Sequence, residues 1–150
     1  MTMTNTSSGQ ASSSREPIDA CLERVEELIR TVAQPVSDAG LLEQLGEALR
    51  SLHARLRIHH ATDFHVAGEV EALAPQLCED RKRLSVEHQT ILGMLDRCIR
   101  CGESIADQPI EEQAVFFLRI QEVIAVIRRH EAEEDRLLYL AVWRDTGGES

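Results

Sequence analysis

Aromatic side chains are scarce in this sequence. One Trp, one Tyr and three Phe stand among 150 residues, too few for the aromatic pairing that stabilises sheets, while Leu, Ala, Glu and Arg abound. The shortage points away from β architectures and towards an all-α chain. No apolar run approaches the roughly 18 residues of a bilayer-spanning helix, and the N-terminus lacks an apolar segment of secretory type. The expectation is a cytoplasmic protein with no membrane partner. Positive charge is also in deficit, 16 Lys and Arg against 26 Asp and Glu giving a formal net charge of -10. The basic residues are interspersed with acids rather than gathered on one face, an arrangement that repels a phosphate backbone, so no nucleic acid is expected as partner.

Cysteine is limited to four positions, Cys21, Cys78, Cys98 and Cys101. In a cytoplasmic chain these are expected as free thiols, ligands or redox groups rather than structural bridges. RCIRCG holds the sole CxxC, at the end of a helical pattern. Without a second CxxC a structural zinc site is not expected, and Cys98 and Cys101 are read as incidental, thiol redox sensing being the lesser alternative.

Hydrophobic residues at 43% and charged residues at 28% are the proportions of a soluble globular chain, and this length suits one domain with a core of its own. Residues 1–15, MTMTNTSSGQASSSR, offer almost nothing to bury and read as a flexible tail. The remainder, 16–145, carries four helical patterns. The first opens near Pro17, runs through Ile18, Cys21, Val25, Leu28 and Val32, and stops at Pro35. A second begins near Leu41 and continues through Leu45, Leu49, Leu52 and Leu56 towards Pro75. The third, about Asp80 to Cys101, aligns Leu84, His88, Ile91, Leu95 and Cys98, with Gly102 placed as a C-terminal cap. The fourth follows Asp107 and reads Phe116, Ile120, Val123, Ile127, His130, Glu134, Leu137 and Ala141 before the glycines at 147–148. Four amphipathic helices with short breaks predict an up-down-up-down four-helix bundle.

Polar residues interrupt these apolar stripes. Imidazole and carboxylate groups removed from water without partners cost several kcal/mol, and metal coordination is one way to compensate them. His130 and Glu134 stand four residues apart on one helix face, so they can converge on one ion or on adjacent ions. They also suit a simple hydrogen-bonded pair. A second copy weighs against that bland reading: in HVAGEVEALAP, His65, Glu69 and Leu73 repeat the offsets of His130, Glu134 and Leu138. His59 and Asp63 form a rival pair in the same helix and continue the Leu52, Leu56 stripe better, but lack the downstream leucine and proline; His53, His59 and His60 are then neighbours of the site or surface groups. His88 lies on the third stripe, and Cys21 is the soft donor of the first, either a ligand or a small buried hydrophobe.

With these pieces in place, the chain resembles the hemerythrin-like (HHE cation-binding) family over about residues 16–145. HEAEEDRLLY is similar to that family's fourth-helix segment, HVAGEVEALAP to its second and EHQTI to its third. The resemblance implies a non-haem di-iron centre in which Glu69 and Glu134 bridge and His65, His88 and His130 are terminal ligands. Where the family has a first-helix histidine this chain has none before His53, and the position falls at Cys21. A small diatomic or peroxide ligand at an open iron position is the implied partner, with binding or sensing of O2, NO or peroxide, or iron handling, as the implied function. Ferritin-like iron bundles place Glu before His at a spacing of three, the reverse of the order here. The alternative reading is a degenerate, metal-free or single-zinc bundle that serves as an interaction or regulatory module.

Overall fold

A computed structural model describes the backbone of residues 10–73 and 77–146, and the side chains of residues 17–61 and 77–140. Among the described residues there are four α-helices and no strand: α1 (Gln10–Thr31), α2 (Ala39–Leu73), α3 (Cys78–Gly102) and α4 (Ile110–Thr146), with a short 3-10 turn over Ile105–Asp107. Each helix packs on its neighbour in sequence, and α4 closes back on α1 and α2. The result is an all-helical bundle. No helix of the described residues is long and apolar enough to cross a membrane.

The helix ends follow local chemistry. Asp38 caps α2, its carboxylate accepting the Leu41 N–H at 3.1 Å and so satisfying one of the donors a helix start leaves unpaired. Glu79 and Asp80 in α3, and Glu111 and Glu112 in α4, occupy the first turn, where the helix dipole favours negative charge. Two boundaries differ from the sequence reading. Helix α1 starts at Gln10, so Pro17 lies inside it rather than at its first turn; the Ser-rich stretch ahead of Pro17 has no apolar stripe by which to announce a helix. Gly102 is not a left-handed cap, for α3 runs through it and no described glycine has positive φ. Its role is close approach instead: a Cβ at Gly102 would lie 3.3 Å from Cζ of Phe116.

The main core joins Ile18, Leu22 and Val25 of α1, Leu45 to Leu56 of α2, Ile91 to Cys98 of α3, and Phe116 to Ile127 of α4. A second, separate apolar cluster holds Leu77, Leu84 and Leu137. On α3 and α4 the residues between the two clusters are His88 in one case and His130, Glu131 and Glu134 in the other. On α2, His59 and His60 follow the last core leucine, Leu56. Three helices thus change from apolar to polar at a common level. At the opposite end Gln113 is the one other polar side chain in the buried set. Its Oε1 accepts the Val36 N–H at 2.9 Å, and its Nε2 donates to the Ile105 and Gln108 carbonyls, both at 3.2 Å. That amide ties the α1–α2 loop to the α3–α4 connection.

Candidate metal centre

The apolar stripes carry the polar layer inwards. Counting on from Leu52 and Leu56 by three or four residues reaches His59 and His60, and the same step from Ile127 reaches His130 and Glu131. His59, His60, His88, His130, Glu131 and Glu134 are all less than a tenth exposed. Two groups of three donors result, each with ligand atoms within 4.8 Å of one another: His60, His88 and His130, and His59, Glu131 and Glu134.

Glu134 stands between the groups. His88 donates from Nε2 to its Oε1 at 2.6 Å, and His59 Nε2 lies 3.4 Å from its Oε2 and 3.4 Å from Oε2 of Glu131. His130 donates from Nδ1 to Oε2 of Glu87 at 3.0 Å. That bond turns Nε2 towards Oε1 of Glu134, also 2.6 Å away, at an angle unsuited to a hydrogen bond. A neutral ring would there set a lone pair against a carboxylate oxygen, so the contact calls for a cation, either a proton on the ring or a metal ion. Burial works to lower the His130 pKa, but the carboxylates of Glu134 and Glu87 outweigh it and raise the value.

His60 is the reverse case. It stacks on His88 with ring centroids 3.7 Å apart and planes 12° from parallel. Neither of its ring nitrogens has a hydrogen-bond partner among the described residues. Burial first, and then the neighbouring His88, push its pKa down to about 3, so at neutral pH it is an uncharged imidazole with a free lone pair, the form that ligates metals. Buried polar groups are otherwise satisfied almost without exception.

Of the residues singled out from sequence, His88, His130 and Glu134 come together here. Cys21 does not join them: it is partly buried, and its Sγ lies 3.8 Å from Oγ of Ser51, eight residues or about 12 Å of helix rise before His59. His65, Glu69 and Asp63 lie in the part of α2 whose side chains are outside the described residues. His53 is half-buried and outside both groups. His59 and His60, read as site neighbours or surface groups, are interior. Glu131 and Glu87 were missed; the step from Ile127 signals Glu131, whereas Glu87 flanks the α3 stripe and is placed only by the way α3 and α4 face each other. The cluster is a set of neutral and anionic nitrogen and oxygen donors with one ring left unsatisfied, and it can hold a metal ion. No family model, curated protein or solved structure matches the chain.

Proposed function

We propose that this chain is an up-down-up-down bundle of the hemerythrin-like type that holds a pair of non-haem irons at His59, His60, His88, His130, Glu131 and Glu134, and binds or senses a small diatomic or peroxide ligand there. The observation that carries the reading is His60. A chain that needed only a stable interior would leave leucine at that position, because an imidazole with both nitrogens unsatisfied destabilises the fold unless something coordinates it. Two adjacent donor groups that share Glu134 as a common neighbour suit two ions with one carboxylate between them. Nitrogen and oxygen donors without sulfur suit ferrous iron better than a softer metal. Cys21, beside Ser51, is left out of this ligand set.

Iron held there would supply a redox centre able to bind O2, NO or peroxide. The protein's own part is to hold the donors in register. Glu87 fixes His130 in the tautomer that turns Nε2 inwards, Glu134 orients His88, and the apolar layers on either side exclude bulk water from the donors. The four cysteines form no disulfide, which suits a reducing cytoplasm.

Metal analysis after anaerobic purification tests this directly, the expected content being about two irons per chain, as paired-metal sites require, with a visible absorption band on exposure to air. A folded protein that retains no iron after anaerobic reconstitution with ferrous salt overturns it. That outcome would favour the metal-free interaction module, for which the pairs of His88 with Glu134 and His130 with Glu87 already supply partners but which leaves His60 unexplained.

A further inference from the structure

The CxxC of α3 belongs to a longer row of sulfur. Met94, Cys98 and Cys101 follow one another by four and three residues, and at 100° per residue the three fall within an arc of about 60° on one helix face. All three line one open cavity of about 560 Å³ between the end of α3 and the start of α4, together with Arg97, Phe116 and Arg119. Cys98 is buried, Cys101 is exposed and Met94 lies half-buried against the core, so the row leads from the interior to solvent. The lengthwise rise from Cys98 to Cys101 is about 4.5 Å, within reach of one ion held between two sulfurs.

We propose that Met94, Cys98 and Cys101 form a site for the cuprous ion, with the two cysteine sulfurs as primary ligands and the Met94 thioether as the third. Thiolate and thioether donors select soft, low-valent metals, and Cu(I) accepts the two- or three-coordinate geometry that a single helix face can present. Binding exchanges the two thiol protons for one Cu(I), leaving a bis-thiolate complex with a net charge of minus one and releasing two protons to solvent. No electron is transferred. Arg97 of α3 and Arg119 of α4 line the same cavity and offset that charge. The site is independent of the histidine layer, since Cys98 lies ten residues, about 15 Å of helix rise, beyond His88.

Anaerobic competition between the full-length chain and a chromophoric cuprous chelator tests the assignment. Wild-type protein is expected to withdraw one Cu(I) per chain, with an ultraviolet thiolate-to-copper charge-transfer band and a sulfur-only first shell in X-ray absorption. Cys101→Ser, at an exposed position where the fold is not at risk, loses that copper. Met94→Leu keeps the stoichiometry but competes several-fold less well. A Cys21→Ser/Cys78→Ser variant binds as wild type. The proposal is overturned if Cys101→Ser withdraws as much Cu(I) as wild type, or if the bound copper has a nitrogen shell, which would place it among the histidines. Iron content plays no part in these readouts, so failure here leaves the iron reading standing, and the converse holds as well.

Discussion

Gln113 and His60 are two buried polar side chains near opposite ends of the same bundle, and they are treated in opposite ways. Every polar atom of the Gln113 amide has a backbone partner, and those partners come from two different connections. His60 is about as buried, yet both its nitrogens lack a hydrogen bond among the described residues. The first is polarity used for construction, and removing it should loosen the fold. The second is polarity the fold does not need, and removing it should tighten the metal-free chain. The difference separates a structural polar group from a candidate ligand more sharply than burial alone.

Substitutions on both sides of the boundary can break that contrast. The largest effect is expected at Leu56, fully buried and one turn before His60, where Leu56→Ala leaves a cavity and lowers unfolding free energy by about 3 kcal/mol in urea titrations. Gln113→Ala comes next, at about 2 kcal/mol, because it takes the partner from the part-buried Val36 N–H and removes the amide's two bonds to the Ile105 and Gln108 carbonyls. His60→Leu is expected to move the other way. Measured on metal-free protein, it raises stability by about 1 kcal/mol, and the same variant retains less iron on anaerobic reconstitution. A His60→Leu chain as destabilised as Leu56→Ala would mean that the imidazole is structural after all, and the contrast with Gln113 would vanish.

The helices were legible because burial imposes one period on each of them, and Leu45, Leu49, Leu52 and Leu56 state it plainly. Continuing that period gives His59 and His60; the favoured pairing of His65 with Glu69 rests on offsets that repeat those of His130 and Glu134, and its side chains lie outside the described residues. His88, His130 and Glu134 were legible for the same reason as the leucines: they lie on the stripes. Cys21 also lies on a stripe, but a stripe fixes direction and not height. Its level relative to the other donors depends on the stagger between α1 and α2, which the connecting loop and packing set and no local pattern encodes. Glu87 and the sulfur row differ in the same way. The first depends on how two helices face each other, whereas Met94, Cys98 and Cys101 share one helix and were open to a wheel argument once methionine counted as a donor.

The smallest expected effect compares a carboxylate pair outside the bundle with the one inside. Arg128 donates to both carboxylate oxygens of Glu26, at 2.8 and 2.5 Å, fastening α4 to α1, but the Arg128 side chain is 48% exposed and solvent screens the pair. The hydrogen bond from Arg128 is the main cause of a Glu26 pKa lowered from 4.5; burial opposes it and the charges of Arg128 and Arg30 add to it. A carboxylate with a depressed folded pKa contributes stability above its unfolded value and loses it as pH falls through the folded one. Glu26→Gln should therefore cost about 0.5 kcal/mol at neutral pH and low salt. The gap from wild type should close as pH drops below about 4.5, and it should shrink at high salt at any pH. A gap that persists in strong acid would show that Glu26 acts through packing rather than charge, and the exposed pair would then differ less from the buried one between His88 and Glu134 than its surroundings imply.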